Sequence, residues 1–93
     1  MDRTSVEEIQ RALEAARDVA RSGSLDGCDA EDIEEIIAPV ETELRAPRPN
    51  MQTLTTYLNS LAKSLRADPG TRDVCMQIDR AMRKAGVPTH WEH

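Results

Sequence analysis

Apolar residues recur every three or four positions over four stretches of this chain, and residues that start or stop helices bound each stretch. In the first stretch Val6, Ile9, Leu13, Ala16 and Ala20 form a stripe that shrinks to alanine, so a neighbouring helix can come close at that end. Thr4 stands three residues before Glu7 and Ser5 three before Glu8, capping-box spacings that predict a helix over 5–21. Ser22-Gly23-Ser24 and then Gly27 end it. Glu7, Arg11, Glu14, Arg17, Asp18 and Arg21 fall off the stripe, and their i,i+3 and i,i+4 relations read as a solvated face.

Ile33, Ile36, Ile37, Val40 and Leu44 define a second helix over 29–45, with Asp29 as its N-cap. Glu31 and Asp32 in its first turn complement the positive end of the helix dipole. Pro39 deletes the bond to the Glu35 carbonyl and costs about 3 kcal/mol in an undistorted helix. The stripe nevertheless keeps its phase through Val40 and Leu44, which predicts a kinked but continuous element. Ala46-Pro47-Arg48-Pro49 follows as a linker biased to extended backbone.

Asn50 caps a third helix over 50–67, whose Met51, Leu54, Leu58, Leu61 and Leu65 make the cleanest heptad of the chain, with Tyr57 beside it. Asp68-Pro69-Gly70 reads as a turn with Gly70 at the positive-φ position, and Thr71 as the cap of a fourth helix over 71–85. That helix is expected to bury Cys75, Ile78, Met82 and Ala85, with Val74 and Ala81 flanking. Gly86 follows its last turn as a C′ residue, Val87 can fold back on Met82, and Pro88 prevents continuation. Matched lengths and short connections give an all-α fold, a small four-helix bundle of up-down type or of two helical hairpins. Residues 1–88 make one domain and 89–93 a short tail.

Composition changes this picture in one respect. With no Phe, one Trp and one Tyr in 93 residues, the core is aliphatic and thin, so burial against a second copy is expected and a homodimer with it. Charge changes it in another. The net charge of -5 opposes nonspecific attraction to nucleic acid or to an anionic membrane by the whole surface, and it is unevenly spread. Residues 26–43 hold eight acids and no base, whereas residues 44–93 hold eight bases and four acids. No apolar run approaches a membrane span, and MDRTSVEEIQ has neither the basic nor the apolar segment of a signal peptide, so a cytoplasmic protein is expected.

Candidate chemistry is sparse. Placing Gly27 at the sixth position of a calcium loop puts Ser22 first and Ile33 twelfth, which are the wrong ligands. Cys28, Cys75, His90 and His93 lack the spacing of a closed zinc site, and the two cysteines read as free thiols. Ser24-Leu25-Asp26 is similar to the acceptor-serine context of carrier proteins. Here Gly23 stands in place of that motif's aspartate and Gly27 and Cys28 interrupt the helix start, which leaves an ordinary loop serine. No nucleophile elbow, Gly-rich loop or carboxylate pocket is present in the pattern, so neither an enzyme nor a cofactor is expected.

What remains is charge. Glu31, Asp32, Glu34, Glu35 and Glu41 lie off the apolar stripe and form an anionic face suited to a protein partner with a basic surface. In size and acidity the chain is similar to nuclease immunity proteins and to phage or bacterial inhibitors, a likeness of composition that shares no motif. The expected function is therefore a non-enzymatic interaction or regulatory module. The alternatives are a DNA-associated regulator touching phosphate through Arg72, Arg80, Arg83 and Lys84, and a structural dimerisation module. If that basic set binds nothing, it is expected to face the acids of the second helix.

Overall fold

Each of the four apolar stripes becomes a helix: α1 (Arg3–Arg21), α2 (Ala30–Arg45), α3 (Met51–Arg66) and α4 (Arg72–Ala85), with a 3-10 turn over Pro69–Thr71 leading into the last. The computed structural model describes residues 2–22, 30–66, 69–87 and 89. Among the described residues there is no strand, and no helix is long and apolar enough to cross a membrane.

α1 packs on α2 and α4, and α3 packs on α2 and α4, so the helices form a closed ring in which chain neighbours adjoin and α4 returns to α1. The radius of gyration is 12.1 Å, close to the ~12 Å of a compact chain of this length, which places the helices around one core. Ile9, Leu13, Ile33, Ile37, Leu54, Leu58, Leu61, Leu65, Ile78 and Met82 fill it. Ala12, Ala16 and Ala20 line the buried face of α1, the small residues that allow close approach. The leucine seam of α3 is thus covered from within one chain, and no exchange of hairpins between copies is needed to bury it.

The helix ends differ from expectation in instructive ways. α1 starts earlier than predicted, because its cap is Asp2, whose Oδ1 accepts the Ser5 backbone N–H at 2.8 Å. That bond also holds the Asp2 carboxyl below its ordinary range. Thr4 and Ser5 both lie inside the helix, so neither is its cap. On the stripe itself, Ala12 is buried and Val6 only half-buried. The Asp29 cap lies outside the described residues, as do Cys28, His90 and His93. α2 runs unbroken through Pro39, as the phase of its stripe predicted, with Ile36 half-buried at the edge. Asn50 caps α3 as expected, its Oδ1 accepting the Thr53 N–H at 3.1 Å. Met51, at the first position of α3, is 40% exposed, and Ala62 joins the core further along.

Of the turn predicted between α3 and α4, Asp68 lies outside the described residues, and the rest departs from expectation. Gly70 sits in the 3-10 turn without a positive φ, and the positive-φ glycine among the described residues is Gly86, at 78°. Thr71 makes no side-chain cap to α4. It is buried instead, and its hydroxyl donates to the Leu65 carbonyl, satisfying one of the acceptors that the end of α3 leaves open. α4 is also rotated from the predicted facing. Val74, Ile78, Ala81 and Met82 are buried, while Cys75 and Ala85 are half-buried. Its end is as expected: the Val87 N–H reaches the Met82 carbonyl at 2.8 Å and the Gly86 N–H the Arg83 carbonyl at 3.2 Å, a Schellman closure that buries Val87.

Candidate partner-binding surface

Because Ile33, Ile37, Val40 and Leu44 point into the core, the spacing of α2 assigns every other side chain to a flank or to the outside. Glu34 and Glu41, two turns apart, fall on the flank beside α1. There they meet Arg17, whose side chain is only 14% exposed. Arg17 Nε donates to Glu34 Oε2 at 2.6 Å, Nη2 to Glu41 Oε1 at 2.6 Å, and Nη1 to Glu41 Oε2 at 2.9 Å and to Glu14 Oε1 at 2.6 Å. Glu41 therefore holds the guanidinium bidentately, the strong geometry for this pair. Arg21 Nη2 adds a longer contact to Glu34, at 3.8 Å.

This cluster corrects the reading of α1, whose polar face was expected to be solvated throughout. Arg17 lies between the two helices, and its hydrogen bonds to Glu41 and Glu34 raise its pKa against the opposing effect of burial. Reciprocally, the Arg17 hydrogen bonds hold the Glu41 carboxyl below its ordinary range, although burial pushes the other way. Elsewhere on α1, Arg3 pairs with Glu7 and Arg11 with Glu8, rather than Glu7 with Arg11.

The acids of α2 thus divide. Glu34 and Glu41 bind Arg17, and Glu43 turns to the other flank, where Oε1 accepts the Asn50 N–H at 2.8 Å and fastens the linker to the start of α3. Glu31, Asp32 and Glu35 are exposed in the first two turns. The sequence placed five carboxylates on one docking face; the fold leaves three of them together on the outside. The helical period already sets Glu34 and Glu41 on one line apart from the other three. What it does not show is Arg17, the partner on a neighbouring helix.

The basic residues of α4 all lie on its outer face, opposite the buried Val74, Ile78, Ala81 and Met82, but as two lines rather than one. Arg72 and Arg83 lie along one line of the helix, and Arg80 and Lys84 along another that borders α1. Arg83 Nε is 2.9 Å from Asp79 Oδ2, and Lys84 Nζ is 3.6 Å from Glu8 Oε1. α4 packs on α1 and α3, so its bases do not face the acids of α2 as the uneven charge suggested. Cys75 lies against α3, its Sγ 3.8 Å from the Ala62 carbonyl and 3.8 Å from Thr71 Oγ1. Burial pushes this thiol up, the opposite of the shift that activates a nucleophile. Compared with known families, with curated proteins and with solved structures, the chain matches none.

Proposed function

We propose that this chain is a small non-enzymatic interaction module of the cytoplasm that docks the basic surface of another protein through the outer face of α2. The observation that carries this reading is the separation of the acids: Glu34 and Glu41 are consumed by Arg17, while Glu31, Asp32 and Glu35 stay exposed on a stretch of helix that contains no base before Arg45. Carboxylates crowded within two turns repel one another. A surface of one sign favours encounter with a partner of the other and fixes its register. An inhibitor or adaptor is the regulatory role this chemistry suits.

The test compares immobilised wild-type protein with the Glu31→Gln/Asp32→Asn/Glu35→Gln variant in a lysate of the native host. Proteins with basic surfaces should be recovered by the wild type, released as ionic strength is raised well above the physiological value of about 0.15 M, and absent from the variant. Equal recovery by both would remove α2 as the docking face. A Glu34→Gln/Glu41→Gln variant serves as the control, since it should lower stability and leave capture unchanged.

A further inference from the structure

Met76 is 50% exposed, the most exposed large apolar side chain among the described residues, and it projects from α4 beside the groove that α4 forms with α1. Glu8, Arg11, Asp73, Gln77 and Arg80 line the rest of that groove. Two of its four charges are already matched within the chain: Glu8 lies 3.9 Å from Arg11 and 3.6 Å from Lys84. Asp73 and Arg80 are both exposed, and among the described residues neither has an ion pair within its own chain. They stand seven positions apart, roughly 10 Å along the axis and on the same line of the helix, with Met76 and Gln77 between them. An acid and a base placed symmetrically about an apolar centre are self-complementary only under one operation. A two-fold axis across the helix, passing between residues 76 and 77, sets each acid against the other copy's base. An axis parallel to the helix would instead oppose like charges.

We propose that α4 docks antiparallel on α4 of a second copy of this chain, with Asp73 against the partner's Arg80 at both ends and the Met76 side chains covering one another at the centre. The heptad spacing keeps the two charged residues on one face of paired helices, and each contact is made twice, as a two-fold interface requires. A single helix pair buries less than the ~1,200 Å² of a standard interface, so the dimer is weak and reversible. It uses the outer face of α4, whereas the leucine seam of α3 serves the monomer's own core. It is independent of the docking proposed for α2.

Sedimentation equilibrium from about 10 μM to about 1 mM, the range of a weak complex, tests this directly. The wild-type mass should rise toward that of a dimer, and Asp73→Arg alone or Arg80→Asp alone should weaken association at least tenfold by opposing like charges twice. The decisive sample is an equimolar mixture of those two variants. In a mixed dimer both contacts become an arginine facing an aspartate again, so the mixture should associate as the wild type does. A wild-type mass that stays monomeric throughout, single variants that associate normally, or a mixture that stays monomeric would each overturn the proposal. Circular dichroism checks that every variant is folded. If a charge reversal unfolds the chain, Met76→Glu and Met76→Lys repeat the design: each should stay monomeric alone and the two should associate when mixed, and failure to associate would overturn the proposal equally.

Discussion

Where α1 meets α2, a nearly covered arginine gathers carboxylates from both helices; where α3 meets α4, leucines and isoleucine close on one another, and the buried Thr71 hydroxyl is answered by a backbone carbonyl. Both contacts exclude water from the same core, but they respond to different variables. The first depends on the ionisation of glutamates, the second on the shape and volume of aliphatic side chains. A bundle poor in aromatic residues has used a charge cluster to hold one of its seams and close packing to hold another.

The largest effect should come from the apolar side. Leu58 is 1% exposed, and Leu58→Ala should destabilise the fold by about 3 kcal/mol through lost transfer energy and the cavity left behind. Urea denaturation at pH 7 and again below pH 4.5 should give the same loss, because the substitution itself removes no titrating group. A loss that varies strongly with pH would show that the two seams are one coupled unit.

Removing the charge cluster should cost less and behave differently. Arg17→Ala removes the hydrogen-bonded cation from Glu34 and Glu41, leaving Glu34 only the longer Arg21 contact, and should destabilise by about 2 kcal/mol at neutral pH, the scale of hydrogen bonds to charged groups. Glu41 has a folded-state pKa below its ordinary 4.5, so its contribution is present above about 4.5 and is lost as pH falls through the folded value. The deficit of Arg17→Ala should therefore shrink on acidification while that of Leu58→Ala stays constant, both followed by the same denaturation series. A deficit independent of pH would mean that Arg17 acts through its methylenes rather than its charge.

The difference between the seams also explains what could be read in advance. The stripes of Ile9 and Leu13, of Ile33 and Ile37, and of Leu54 to Leu65 fixed which faces turn inward, because a helix must bury whatever recurs at its own period. Asn50 and Gly86 were legible for the same local reason: their contacts lie within a few residues. Arg17 was not. Its partners Glu34 and Glu41 lie on another helix, and on α1 alone it is one polar position among several. Thr71 was misread because its hydroxyl bonds back across the turn to Leu65, and a capping rule considers only the helix that follows. The acids outside the α2 stripe were accordingly legible as a group, whereas the pairing of two of them, Glu34 and Glu41, with Arg17 was not.

Pro39 lies between the two glutamates that grip Arg17, so it tests whether the proline shapes the clamp or merely interrupts the helix. Its place on the helical wheel is nearly opposite theirs, on the side away from α1, and it is half-buried. Pro39→Ala restores a backbone N–H to the Glu35 carbonyl and relieves the ring's clash with it, which favours the fold. The same change gives the unfolded chain more freedom, which opposes folding by about 0.4–1 kcal/mol. The net effect should be a stabilisation below about 1 kcal/mol with slightly greater helicity, the smallest change of the series. Combined with Arg17→Ala in a double-mutant cycle, the two effects should add to within about 0.5 kcal/mol, as they do for sites without shared partners. Additivity would leave the clamp to the position of Glu34 and Glu41 alone. A coupling well above that margin would show that the proline's local geometry brings the two carboxylates to one guanidinium, and would make Pro39 part of the α1–α2 seam rather than an interruption that α2 tolerates.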